Sequence, residues 1–259
     1  MKGVLMSMTA VFLSGAVSAA VVQKPIEYRD GDTVLEGYLA YDDAFPGKRP
    51  GVLVIHDWMG PSPFTRKKAD DLARLGYIGF AADIFGKGVR PKNTEEASSL
   101  SSSFKKDRTL LRRRAQAALE ALKRQPLVDP AQLAAIGFCF GGTAALELAR
   151  SGAPLVGVVT FHGGLDTPTP QDAKNIKGKV LALHGADDPY VPPDQVAAFE
   201  KEMREGGVDW QLVKYSGAVH AFTIPDAGND NSKGAAYNPV AARRAWQAMK
   251  DFFDEIFKP

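Results

Sequence analysis

The sequence predicts an α/β fold: a mainly parallel, doubly wound sheet with helices on both faces. Three observations carry that expectation. Continuous apolar runs such as Gly51-Val-Leu-Val-Ile-His56 have the length and composition of strands buried on both sides. Amphipathic helical segments alternate with these runs through most of the chain. Proline, glycine and small polar residues punctuate the boundaries, as caps and turns require.

Taken in order, residues 1–20 stand apart. Lys2 precedes an apolar stretch from Val4 to Val17, and Ser18, Ala19 and Ala20 supply small residues for cleavage, so a secretory signal peptide is expected. The rival reading is an uncleaved anchor helix or an N-terminal strand. The stretch is short and interrupted by Ser and Gly, and no cysteine follows it to accept a lipid. Residues 21–259 are then expected to form one domain, secreted and, in a Gram-negative source, periplasmic, with no membrane contact after leader cleavage.

Within that domain, Thr33 to Tyr41 reads as an early strand and Gly51 to His56 as a buried parallel one. Ser62-Pro63 offers an N-cap with proline at the first helical position, Ala69, Leu72 and Ala73 share a face, and Gly76 closes the helix. Ile78 to Ala82 is the next strand and completes a βαβ unit. From Asn93 to Arg124 the pattern is helical, with Leu111, Ala115, Ala118 and Leu122 on one stripe. Arg112, Arg113 and Arg114 fall off it and read as a solvated face rather than an anion-binding patch. Strands follow at Leu133–Phe138, Leu155–Phe161, Lys179–His184 and Asp209–Tyr215, and helices at Gly141–Arg150 and Asp194–Glu205. The chain ends in a helix capped by Asn238-Pro239, with Ala242, Ala245, Met249, Phe252 and Ile256 expected inward. One loop, Thr223 to Tyr237, is long enough to suggest a lid or rim.

Composition narrows the partners. Of 259 residues, 45% are hydrophobic and 24% charged, enough for a sizeable core. Thirty-two Lys and Arg against 30 Asp and Glu leave a net charge of +2, which argues against a nucleic-acid partner or an anionic membrane. Cys139 is the only cysteine, so it forms no intramolecular disulfide and is either an inert packing residue or a reagent.

Its surroundings favour the reagent. Gly137-Phe138-Cys139-Phe140-Gly141 has the form Gly-x-Cys-x-Gly between a strand and a helix, a nucleophile elbow with cysteine in place of serine. Small neighbours relieve the strained turn, and the helix N-terminus favours a thiolate. A base and an orienting acid are needed next. Gly185 to Pro192 places Asp187 and Asp188 after one strand, and His220 follows the next, which satisfies the order nucleophile, acid, histidine. His56, His162 and His184 compete for the role of base. None of the four histidines has close metal-ligand spacing, so neither a metal nor an organic cofactor is expected.

The elbow, the Gly185–Pro192 turn, the Gly217–Phe222 loop and the segment His56-Asp57-Trp58-Met59-Gly60 together resemble the dienelactone hydrolase family of α/β-hydrolases over most of the mature chain. The resemblance implies an ester hydrolase whose triad falls on Cys139, Asp188 and His220. It implies an oxyanion hole from the N–H groups of Trp58 and Phe140. It also places Asp57 where the family carries a glutamate that holds the resting thiol. The arginines with which the family grips a substrate carboxylate are replaced by Lys87 and, near the second position, Ile224.

That loss, with Trp58, Met59, Phe64, Phe85, Tyr190 and Phe222 as candidate pocket residues, points to small neutral esters or lactones. A phosphotriester is the alternative substrate. A non-catalytic binding protein on the same scaffold and a thiol redox protein are the alternative classes, the latter lacking a resolving cysteine.

Overall fold

A computed structural model describes residues 20–257. The expected leader lies outside them apart from Ala20.

An eight-stranded sheet forms the centre. Strand β1 (Val21–Asp30) pairs with β2 (Thr33–Asp42) as an antiparallel hairpin, and β2 lies antiparallel to β4 (Ile78–Ala82). β4, β3 (Arg49–Ile55), β5 (Val128–Phe138), β6 (Gly157–Phe161), β7 (Lys179–Gly185) and β8 (Trp210–Tyr215) run parallel in that spatial order. The chain passes from β3 to β4 on one side and resumes at β5 on the other. Connections therefore diverge beyond the carboxyl ends of β3 and β5, and a crevice opens where they part. Asp57, Trp58 and Cys139 follow those two ends.

Strand alternation divides the core into two layers. Val52 and Val54 of β3 pack with α1 (Pro63–Arg74) and α6 (Pro239–Ile256), whereas Leu53 and Ile55 face α3 (Arg108–Lys123) and α4 (Phe140–Arg150). Residues of α2 (Thr94–Lys106) and α5 (Pro193–Glu205) join the second layer through Phe104 and Phe199. Full burial of each such side chain stabilises the fold by about 1.5–3 kcal/mol. The expected doubly wound sheet with helices on both faces is thus the observed one.

Four local readings change. The hairpin strand β1 has no clear sequence pattern because it is an edge strand, half of it exposed, with Pro25 inside it. The helical stretch from 93 to 124 is two helices: Asp107 leaves helical geometry at φ −106°, ψ 80°, and its carboxylate accepts the Leu110 N–H at 2.9 Å to cap α3. In α6, Ala241 and Phe253 are buried beside Ala245, Met249 and Phe252, while Ala242 and Ile256 are only half-buried.

The arginine run is not a solvated face. Arg112 bonds Glu147 and Asp172, and Arg113 and the buried Arg114 both reach Asp30. These partners lie on α4, a 3-10 turn and β1, so the run ties helix α3 to its neighbours.

Candidate active site

Cys139 sits between β5 and α4 with φ 54° and ψ −116°, a strained backbone for a non-glycine residue. The flanking glycines are sterically required. A Cβ at Gly137 would overlap the Gly141 carbonyl, and one at Gly141 would overlap the carbonyl oxygens of Ile55 and His56. The Cys139 N–H donates to Phe161 O at 3.0 Å, and its carbonyl accepts from Gly142 and Thr143 at 3.0 and 3.3 Å. Both strand and helix therefore fix the turn. As the first residue of α4, Phe140 has an N–H with no carbonyl four residues back inside the helix, free to face a ligand.

The side chains converge as ordered in the sequence. Cys139 Sγ lies 3.1 Å from His220 Nε2, and His220 Nδ1 lies 2.7 Å from Asp188 Oδ2. Asp188 is buried, and its other oxygen accepts the Tyr190 N–H at 2.8 Å, which leaves the carboxylate no freedom to turn. Asp187 points elsewhere and accepts the Gly217 N–H.

Burial by itself disfavours a charged His220. The negative sulfur and the hydrogen bonds that the ring donates to Asp188 and Cys139 outweigh it and push the pKa up to about 10 from 6.5. His220 is therefore charged at neutral pH.

The loop from Thr223 to Tyr237 is pinned to the histidine. The His220 N–H donates to Gly234 O at 3.1 Å, and the His220 carbonyl accepts the Ala236 N–H at 3.0 Å. Asn231 and Asn238 side chains both donate to Gly217 O. These contacts hold the segment as a rim beside the histidine loop. No sequence signal could have found the contact, because it is made by backbone.

The other histidines have separate places. His56 accepts the Ile84 N–H at Nε2, so its proton resides on Nδ1 and is donated to the Asp57 carbonyl at 2.6 Å. Burial lowers its pKa to about 4, and it stays neutral between Phe85 and Phe140. His184 is buried, and that burial lowers its pKa. His162 is buried beside His220.

Of the remaining candidates, Trp58 and Met59 are half-buried in the turn after β3. Asp57 accepts the Met59 N–H at 2.8 Å, and burial raises its carboxyl pKa against that bond. The hydrogen-bond partner of the Cys139 sulfur is His220, and that of the Asp57 carboxylate is the Met59 N–H. Tyr190 is 60% exposed and sets its ring edge against His220, at the mouth of the site.

Of three further expected pocket residues, two are core and one is paired with acids. Phe85 is core, packed among His56, Phe104 and Phe140. Phe222 is fully buried against His162 and Tyr215. Lys87 is exposed and paired with Glu27 at 2.8 Å and Glu36 at 3.4 Å. Arg90 is the cation beside the Gly60 turn, with its guanidinium on the Gly86 and Val89 carbonyls.

Among the described residues no helix is long and apolar enough to cross a membrane. A surface cavity of about 560 Å³ lies among Pro154–Val156, Ile176–Lys179 and Gly207–Asp209, at the opposite ends of β6 to β8 from Cys139.

A sheet of this topology, with an elbow at its switch point, defines an α/β-hydrolase-type enzyme. The dienelactone hydrolase family profile matches residues 35–257, and the chain belongs to that family. It is similar to a relative from Aquifex aeolicus named "Putative carboxymethylenebutenolidase", with 31% identity over 90% of this chain and 98% of the relative. The solved structure m3DLH superposes with a TM-score of 0.89 at 45% identity, covering 92% of this chain and all of its own. A dienelactone hydrolase-like promiscuous phosphotriesterase from metagenomic libraries superposes at 0.87 with 42% identity, covering 93% and 100%. The protein is a hydrolase acting on ester or lactone bonds.

Proposed function

We propose that the protein hydrolyses small neutral carboxylic esters or lactones, with Cys139 as nucleophile, His220 as acid and base, and Asp188 as the group that orients His220. The observation that carries this reading is the unbroken relay from Asp188 through His220 to a sulfur held on a strained turn at a helix N-terminus.

The cycle follows from those contacts. The Cys139 thiolate attacks the acyl carbon, and the carbonyl oxygen takes up the electron pair under the N–H groups of Phe140 and Trp58. Collapse breaks the ester C–O bond, and the departing alkoxide takes the Nε2 proton of His220. Neutral His220 then removes a proton from water, whose oxygen attacks the thioester. The acid departs, and the sulfur regains its negative charge beside a charged His220.

Substrate neutrality rests on the cations near the site. Lys87 is neutralised by Glu27 and Glu36, and Arg90 is engaged by backbone carbonyls with Asp83 3.9 Å away. Neither presents a free fork for a carboxylate. The exposed Tyr190 ring and the half-buried Trp58 and Met59 offer apolar contact instead.

A second reading, phosphotriester hydrolysis by the same groups, is favoured by the likeness to the promiscuous phosphotriesterase. A panel of chromogenic carboxyl esters, lactones and aryl dialkyl phosphates tests both, with Cys139→Ala as control. Carboxyl esters or lactones turned over fastest, and lost in the variant, support the first reading. Faster phosphotriester turnover favours the second, and unchanged ester hydrolysis by Cys139→Ala rejects both.

Residues 1–20 are proposed as a secretory leader and residues 21–259 as one domain acting outside the cytoplasm. N-terminal sequencing of exported protein tests this, and a mature protein that begins at Met1 contradicts it.

A further inference from the structure

His162 takes no part in the chemistry above, yet the histidine-bearing segment is wrapped around it. It follows β6 directly, with φ 41° and a buried ring. Its N–H donates to Leu183 O at the end of β7, and its neighbour Phe161 accepts the Cys139 N–H. The residue is thus anchored to the strands on either side, one of which carries the elbow.

From that anchor the imidazole touches three of the four consecutive residues 220–223 in the loop after β8, two strands away. Its ring lies 5.4 Å from the His220 ring at 67° and 5.2 Å from Phe222 at 78°. Its Nε2 lies 2.7 Å from Thr223 Oγ1. Ala221, between the contacts, has φ 56°, which turns the chain around the ring. Tyr190 meets His220 at 5.3 Å and 82°, so His220 also has an exposed aromatic neighbour.

We propose that His162 is a positioning residue: it sets the tilt of the His220 ring, so that Nε2 meets Cys139 while Nδ1 meets Asp188. The inference rests on the reading of His220 as acid and base. Asp188 and Cys139 each fix one nitrogen, but two in-plane hydrogen bonds leave the ring able to rock about the line joining them. The His162 ring blocks that rocking from the buried side. Its bond to Thr223 keeps the His162 ring in place.

Two variants test this. His162→Gln keeps a polar group of similar reach and removes the ring; Thr223→Val removes the hydrogen bond and keeps the shape. For His162→Gln, kcat for an activated ester is expected to fall about ten- to a hundredfold, as small misplacements of a reacting group do. KM should stay within about twofold, since uniform substrate binding is untouched. The pH midpoint of Cys139 alkylation by iodoacetamide should move upward, because a tilted imidazolium stabilises the thiolate less. Thr223→Val should move kcat and the midpoint in the same directions by less.

Loss of melting temperature with kcat and alkylation midpoint unchanged, in both variants, would overturn the inference. If His162→Gln does not fold, Thr223→Val decides by itself on the same two readings. Turnover that survives His220→Ala would sink the reading of the site. Turnover lost in His220→Ala but unaltered in the other variants sinks only the role of His162.

Discussion

The Nε2 atom of His220 lies 3.1 Å from the Sγ of Cys139, close enough for the place of one proton to decide whether both are charged or neither. Asp188 holds the opposite nitrogen at 2.7 Å, so the exchangeable proton is the one that faces the sulfur.

The pH dependence follows from that pair. His220 has its pKa raised from 6.5 to about 10. Stability from its charged form is therefore complete below pH 6.5 and is lost as pH rises through about 10. Urea unfolding of the wild type should weaken across that window, and Cys139→Ala, without the negative partner, should show a flatter profile. Turnover should also fall above about pH 10, where the leaving group loses its proton donor. That limb describes the coupled pair rather than either residue.

Asp188→Asn should lower kcat on the order of 10³–10⁴-fold, because the amide favours the wrong imidazole tautomer. Asp187→Asn, one position away, only weakens a turn contact that accepts the Gly217 N–H and should leave kcat within about threefold. Equal losses in the two would show that the acid has been misassigned.

Gly141→Ala adds one methyl group against the carbonyl oxygens of Ile55 and His56. Overpacking of this kind costs about 1–3 kcal/mol, so the urea midpoint should drop. Because the same turn aims the sulfur, esterase activity should fall more steeply than stability. An unchanged urea midpoint would mean that the turn has slack.

Lys87→Ala should leave kcat/KM for neutral esters unaltered and barely move the urea midpoint, since its pairs with Glu27 and Glu36 are solvent-screened. A raised KM for an anionic lactone in this variant would show that Lys87 reaches the substrate after all.

The grouping of Cys139, Asp188 and His220 was legible because each part is local. Elbow glycines, an Asp-Pro turn and a histidine after the last strand stand in fixed chain order, and the parallel sheet brings strand ends together. The βαβ pattern was readable for the same reason. The arginine run was misread because what neutralises it is remote: Glu147, Asp172 and Asp30 lie 35, 60 and 83 residues from their partners. Phe85 and Phe222 were misread differently. Each stands near a site residue in sequence, but only packing decides whether a ring faces the crevice or the core. His162 was noticed as a strand-end histidine, while its embrace by residues 220–223 depends on the left-handed turn at Ala221.

The most direct test of the central claim is intact-mass measurement during turnover of a slowly deacylating aryl ester. Wild-type protein should gain the mass of one acyl group, mapped by peptide fragmentation to Cys139, and lose it as turnover ends. Cys139→Ala should gain none and release no phenol. An adduct on another residue, or steady phenol release by Cys139→Ala, would contradict the assignment of Cys139 as nucleophile.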